Sequence, residues 1–427
     1  MANSVLDEFM NKGEAESDII FVSFRKLIPE VPSTNYASHG MYQYPAEFIP
    51  QVVRFAINRF LKNKDGIIFD PFAGGGTVGV EAQILGLNCV LWDLNPLIEH
   101  LMEAKLLRCY QSEFNEFNKE VCMLLDYDGK EFSPSWSHIN YWHPPEILAT
   151  LKKFWGYVHY ECRSKFKPLL KLTLVKVSRR FSFGDDQVPK LFRSKRKKSE
   201  IERLLKSNWL NHIKQQILKE AFMIFEKSVD FAKYADGKNS ICEVKGGINV
   251  LDESTKLDKE VSLLITSPPY LTAHEYIRSS KLELFWLGYD ERTVRRLLKL
   301  EIPYNNPQPI DIQSPTFKVY RRKIEEKRPD LVKFYDAYFY SLIPAFEKFS
   351  NSISTKGFMA IFVGNASLSG YSVPIHLILK EHLSRKGFEH YRTYVDEIKA
   401  RRLFRGRFNV SPEGIQEELL LVLRKIT

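Results

Sequence analysis

The chain has 427 residues, 44% of them hydrophobic, which suffices for one large domain with an insertion or for two to three lobes. Its net charge of +10 fits a polyanionic partner such as nucleic acid. No apolar run is long enough to cross a membrane, and the N-terminus lacks the basic flank and apolar run of a signal peptide. The five cysteines (Cys89, Cys109, Cys122, Cys162 and Cys242) show no CxxC spacing, which argues against a zinc site or a disulfide framework and fits a reducing cytoplasm.

Residues 1–35 read as a polar, partly helical lead-in. Residues 45–61 carry apolar positions at helical spacing, with Pro50 tolerable in the first turn. Gly66–Asp70 reads as a short buried strand, 77–86 as a helix stopped near Gly86, and Cys89–Asp93 as the next strand. Together they make a βαβ unit, which implies a parallel sheet. After Pro96 the strand rhythm disappears, and 97–240 reads mainly as helices with mixed aromatic and basic residues. Strands return at Gly247–Asp252 and Val261–Thr266. A Pro-rich non-sheet stretch follows over about 271–330. Then come a helix (Phe334–Phe349), a strand (Gly357–Val363), a helix (Pro374–Lys386) and a strand pair, Tyr391–Ile398 and Glu417–Arg424. The fold expectation is α/β: a doubly wound, mostly parallel sheet with an inserted, mainly helical lobe.

Two loops carry chemistry. Asp70-Pro71-Phe72-Ala73-Gly74-Gly75-Gly76-Thr77 joins a strand to a helix. Its glycines allow a ligand close to the backbone, and the helix N-terminus offers free N–H groups to an anion. Asp93, 23 residues after Asp70, ends the next strand, where an acidic residue can take both ribose hydroxyls of an adenosine-containing cofactor. The loop lacks both the G-x-G-x-x-G spacing and the P-loop Lys-Ser/Thr, which lowers NAD and ATP relative to S-adenosylmethionine. The second loop, Ser267-Pro268-Pro269-Tyr270, follows an apolar strand. An exocyclic base amine is a poor nucleophile because its lone pair is delocalised into the ring. Acceptors aimed at its N–H bonds, here the Ser267 hydroxyl and the Pro268 carbonyl, favour the tetrahedral geometry needed for attack. The prolines fix the backbone, and Tyr270 offers a face to an extruded base.

Together these loops resemble those of the S-adenosylmethionine-dependent DNA amino-methyltransferases, which act on cytosine N4 or adenine N6. The resemblance covers roughly 36–96 and 247–427. His39 through Pro50 is similar to the segment that closes over the methionine end of the cofactor, and Gly364-Asn365 matches a later strand-end position. The resemblance implies a seven-stranded-type methyltransferase sheet. It implies cofactor contacts from Tyr44, Pro45, Asp70, Phe72, Gly74, Gly76, Thr77, Asp93 and Asp252, and catalytic roles for Ser267, Pro268, Pro269 and Tyr270. The implied organisation is a lead-in (1–35), a catalytic domain (36–96 and 241–427) and a candidate target-recognition insertion (97–240). Ser at position 267 goes more often with cytosine N4, and Asp at that place more often with adenine N6. The absence of a Pro-Cys dipeptide argues against carbon-5 methylation, which needs a thiolate.

The expected partner is double-stranded DNA, with a cognate restriction nuclease acting on the same site. The alternatives are adenine-N6 methylation, an RNA base-amine methyltransferase, and a catalytically idle DNA-binding subunit. Lys195, Arg196, Lys197 and Lys198 fit a phosphate-contacting face or, since Glu200 and Glu202 interrupt the run, a solvated helix surface. Arg402 and Arg405, in a late loop with Phe404 and Phe408, suit a nucleic-acid backbone or an ordinary exposed loop. His138, His143 and His159 lack metal-ligand spacing and no metal is expected.

Overall fold

The structure, a computed structural model, describes residues 18–45, 48–188, 190–271, 275–303, 307–397 and 417–426. The strands are β1 (Ile19–Val22), β2 (Ile67–Asp70), β3 (Cys89–Trp92), β4 (Cys242–Lys245), β5 (Val261–Thr266), β6 (Ile353–Gly364), β7 (Ala366–Leu368), β8 (Tyr371–Val373), β9 (Phe388–Glu397) and β10 (Glu417–Lys425). Eight of them form one sheet in the order β4-β3-β2-β5-β6-β10-β9-β1, while β7 and β8 pair as a separate hairpin. Neighbours in the sheet run parallel, except that β10 is antiparallel to both β6 and β9.

Two expectations are corrected. The lead-in contains an edge strand, β1, which pairs parallel with β9 and makes the sheet eight-stranded. The strand expected at Gly247–Asp252 is instead β4, and 247–252 is the loop after it. Gly247 takes φ +70, a left-handed conformation that interrupts extension. The Asn249 side chain then accepts the Leu251 N–H at 3.1 Å and turns the chain.

The helices used below are α1 (Pro50–Phe60), α2 (Thr77–Leu85), α3 (Leu97–Lys105), α4 (Lys167–Arg180), α5 (Lys195–Leu205), α6 (Trp209–Ala235), α7 (Val332–Ser350) and α8 (Ile375–Ser384). Pro50 opens α1, because a proline has no N–H to leave unsatisfied there. Gly86, at φ +71, closes α2. Its N–H reaches Gln83 O and the Leu87 N–H reaches Ala82 O, a Schellman arrangement that satisfies the last carbonyls.

Alternation along the strands sends Ile68, Leu91, Leu263, Ala360 and Leu420 to one face, where they pack with α1 and α2. Phe69, Trp92, Leu264, Met359 and Leu421 point to the other face, with α7 and α8. Helices thus cover both faces of the sheet. A third core, in the helical lobe, gathers Phe117, Trp155, Leu170, Ile217 and Phe225. It also takes in Leu282, Phe285, Trp286 and Leu297 from beyond β5, so the lobe is built from two stretches of chain. The 27-residue α6, about 40 Å long, ties lobe to sheet: Ile213 to Val229 serve the lobe core, and Phe231 and Ala235 the sheet core.

Strand order reverses between β2 and β5. Each of these strands has its sequence successor on the side away from the other, so the connecting loops diverge and leave a crevice at the strand ends. The Asp70 loop leaves β2 there, and the Ser267 loop leaves β5.

Candidate active site

Asp70 ends β2 and is buried. It accepts the Thr266 hydroxyl at 2.7 Å from the end of β5 and the Phe72 N–H at 3.1 Å. Burial pushes its carboxyl up to about 7, against those two hydrogen bonds. The sequence reading assigned Asp70 to the cofactor. The structure instead makes it the brace between the two strands that carry the functional loops.

Beyond it, Pro71 to Gly75 and Thr77 line a cleft holding about 850 Å³ of space, part of it open solvent. Gly74 (φ +51) and Gly76 (φ +82) both need left-handed backbone. A Cβ on Gly74 would lie 3.2 Å from the Tyr44 ring, so Gly74 keeps the loop open beneath Tyr44. Gly76 does not line the cleft. A Cβ there would meet Met102 Sδ at 2.1 Å, so its absence serves the packing of α2 on α3. The fully buried Lys105 holds the loop from below, donating to Gly75 O at 2.7 Å. The Thr77 hydroxyl donates to Phe48 O at 3.3 Å.

Asp93, just after β3, also lines the cleft. Its two oxygens accept the Gly74 and Asn95 N–H groups, each at 2.7 Å. Burial pushes its carboxyl up to about 6, and these N–H groups pull it back. Each oxygen keeps acceptor capacity for a hydroxyl. One wall is Tyr44 and Pro45. The Tyr44 ring stacks on Tyr276 at 6.1 Å and 6°, and its hydroxyl accepts from Asn95 Nδ2 at 3.3 Å. The opposite wall, Ile248, Asn249 and Val250, comes from the loop after β4. The sequence reading placed Asp252 there. Asp252 is exposed and its carboxylate is turned to the Ser254 hydroxyl and N–H, at 2.6 and 2.9 Å, because the turn at Asn249 carries it out of the cleft.

Ser267 and Pro269 line the same cleft. Pro268 is buried outside its lining, and the Pro269 carbonyl accepts the hydroxyl of the buried Tyr338 on α7 at 2.8 Å. Tyr270 also lies off the lining, its hydroxyl donating to Glu418 on β10 at 3.3 Å. The Ser267–Tyr270 loop is thus held by α7 and β10. Asn95, Gly75, Tyr276, Asn249 and Glu301 line the cleft without having been singled out from sequence. Of these, Gly75 sits in the glycine run, a signal that could have found it.

A buried polar cluster secures the Tyr44 segment. Glu81 on α2, fully buried, accepts from Tyr36, from His39 at 2.9 Å and from Arg54 at 2.8 Å. Nothing in the spacing of these residues announced it.

The basic run at the start of α5 is placed differently from a phosphate-contacting face. Lys197 is buried, and its ammonium contacts Asp186 and Glu200, both at 2.9 Å. Arg196 pairs with Asp186 at 2.5 Å and Glu200 at 3.1 Å, and Lys198 lies 3.6 Å from Glu202. Lys195 is exposed at the first turn. The carboxylates that interrupt and precede the run pair with Arg196, Lys197 and Lys198, the arrangement of an ion-paired helix surface, and Lys197 is buried beneath it. Arg402 and Arg405 lie outside the described residues, as do Ala46 and Glu47. His143 and His159 pack in the lobe, bonded to Phe181 O at 3.3 Å and Trp286 O at 3.0 Å. Among the described residues no cluster of three or more His, Cys, Asp or Glu is grouped to hold a metal, all five cysteines are free, and no helix is long and apolar enough to cross a membrane.

A family model described as DNA methylase matches residues 10–104, which include Tyr44, the Asp70 loop and Asp93. The type II methyltransferase M.BsoBI of Geobacillus stearothermophilus is 24% identical over 298 residues, covering 65% of this chain. M.MvaI of Kocuria varians, another type II methyltransferase, is 22% identical over 404 residues, covering 87% of this chain and 86% of its own. Over these stretches the chain is similar to the N4/N6 DNA amino-methyltransferases. The alignment spans 58% of the length of M.BsoBI. Among solved structures, the rRNA methyltransferase AviRa of Streptomyces viridochromogenes aligns over 94% of this chain and 96% of its own at 9% identity, with a TM-score of 0.32, too low to bear on fold or function. The two loops that carry the resemblance contribute residues to one cleft at the β2–β5 crevice.

Proposed function

We propose that this chain is a site-specific DNA methyltransferase that moves a methyl group from S-adenosylmethionine to the exocyclic N4 amine of cytosine in double-stranded DNA, within a restriction-modification system. One observation carries the reading. Ser267 and Pro269 of the Ser-Pro-Pro-Tyr loop line the same cleft as Asp93 and the glycine loop.

The residues present fit the methyl donor. Asp93 offers acceptors for two ribose hydroxyls, and Ile248, Val250 and Phe72 offer apolar faces to a flat ring. The left-handed Gly74, where a Cβ would crowd Tyr44, leaves room for a ligand against the backbone. When bound, S-adenosylmethionine supplies an electrophilic methyl on a sulfonium.

The chain's own groups do the remaining work. The Ser267 hydroxyl and the Pro268 carbonyl accept the N–H bonds of the target amine and favour its tetrahedral form. The Tyr338 bond to the Pro269 carbonyl keeps that backbone from relaxing. Tyr270, its hydroxyl bonded to Glu418, supplies the ring on which the extruded base stacks. Cytosine is favoured over adenine by Ser at position 267. Incubating the protein with unmodified DNA and S-adenosylmethionine, then measuring nucleosides by mass spectrometry, tests the reading. N4-methylcytosine is expected. N6-methyladenine would replace the base assignment, and no methylated nucleoside would overturn the reading. A nuclease cleaving the same unmodified site is the partner this function implies.

A further inference from the structure

A second groove lies beside the cleft, where the helical lobe meets the 275–303 segment. It encloses about 1760 Å³, part of it open solvent. Its described lining carries Arg193, Arg278, Lys281 and Lys299 against the carboxyls of Glu275 and Glu301. Glu275 is paired with Arg278 at 3.1 Å and, from outside the lining, with Lys190 at 2.5 Å.

Two of the cations rest on rings. The Arg193 guanidinium lies 4.3 Å from the Tyr141 ring and 4.4 Å from that of Phe183, and the Lys281 ammonium sits 4.7 Å from Trp136. A ring orients a cation without cancelling its charge. The carboxylates around α5 do cancel it. Tyr141 and Phe192 on the groove wall are 52% and 38% exposed, large faces left to solvent. The groove runs into the cleft that holds Ser267, since Glu301 and Ile302 line both. Burial pushes the Glu301 carboxyl up to about 7, which lowers the negative charge at that junction.

We infer that this groove, rather than the basic run of α5, is the path of duplex DNA to the Ser267 loop, with phosphates on Arg193, Lys281 and Lys299 and unstacked bases against Tyr141 and Phe192. The inference rests on the proposed function. Cations supply the sequence-independent attraction to phosphate, exposed rings supply stacking for bases beside the extruded one, and continuity with the Ser267 cleft supplies the route.

The test measures affinity for a fluorescent mixed-sequence DNA duplex against salt. It compares the wild-type chain, the Lys281→Gln/Lys299→Gln variant and the Arg196→Gln/Lys198→Gln variant, with S-adenosylmethionine binding as the check on folding. Loss of two phosphate contacts should lower the slope of log affinity on log salt by about 1.8 in the groove variant. Its affinity should then fall about tenfold less than that of wild type between about 50 and 200 mM salt. The α5 variant should keep the wild-type slope. Tyr141→Ser/Phe192→Ser should weaken binding about fivefold or more with the slope unchanged. An unchanged slope in the groove variant, an equal drop in the α5 variant, or tighter wild-type binding of single-stranded RNA than of duplex DNA would overturn the inference. If wild type methylates DNA while the groove variants bind as wild type does, the groove assignment falls and the proposed function stands. If the slope follows the groove lysines but no methyl is transferred, the function falls and the groove stands.

Discussion

The ribose role proposed for Asp93 predicts that S-adenosylmethionine binding depends on pH in a definite direction. Only the ionised form offers its full acceptor capacity to two ribose hydroxyls. Burial sets its titration at about 6. Binding strength should therefore be near its maximum above pH ~7 and fall below pH ~6, by a factor of about ten at pH ~5, since each unit below the pKa is about 1.36 kcal/mol. Stability has the opposite slope. A carboxyl whose folded pKa is raised is protonated in the native state over a range where the unfolded chain is ionised. Asp93 and Asp70 therefore favour folding below pH ~4 and lose that contribution as pH rises toward 6–7. A loss of affinity on acidification thus cannot be blamed on these two groups unfolding the site. Calorimetric titration from pH ~5 to ~8 on wild type and Asp93→Asn is the measurement. The variant should bind weakly, having lost charge-assisted bonds worth roughly 1.5–3 kcal/mol each, and should lack the transition. Wild-type affinity that stays flat across the range, or an equal transition in Asp93→Asn, would refute the ribose role.

Ser267→Ala should slow single-turnover methyl transfer by about 10²–10³, with cofactor affinity preserved, and unaltered single-turnover rates would remove the hydroxyl from the mechanism. Glu81→Ala leaves the buried Arg54 guanidinium without its carboxylate, so denaturant unfolding should show a loss of about 3–5 kcal/mol. Replacing Arg54 and Glu81 together by apolar residues should recover much of it, and equal losses in both variants would point to packing instead. Gly76→Ala must place a methyl on Met102 at a left-handed position. It should cost about 1–3 kcal/mol, measurable as a lowered melting temperature, and Met102→Ala in the same chain should relieve the steric part.

Much of this architecture was legible in the chain alone. Apolar runs ending at Asp70, Trp92 and Thr266 are short, buried strands because both their faces are covered, so they read without ambiguity. Glycines in sequence between a strand and a helix mark a loop that must lie close to a ligand or a neighbour, and a proline pair after a strand marks a backbone with little freedom. These local constraints named the two loops and Asp93, which line one cleft in the structure. They did not separate residues that face the cleft from those that build it. Asp70 and Gly76 belong to the motif, yet one latches β2 to β5 and the other clears Met102. Asp252 was displaced because a single left-handed glycine and an Asn side chain ended β4 earlier than hydrophobicity suggested. The charge of α5 looked available because sequence shows which residues are basic but not that Asp185 and Asp186 fold back upon them. Tyr276, Tyr338 and the groove cations were invisible for the same reason. Local pattern follows from the nearest few residues along the chain, whereas pairing of charges, stacking of rings and the closing of a cleft depend on residues brought together from opposite ends of it, and only the packed sheet and lobe decide those.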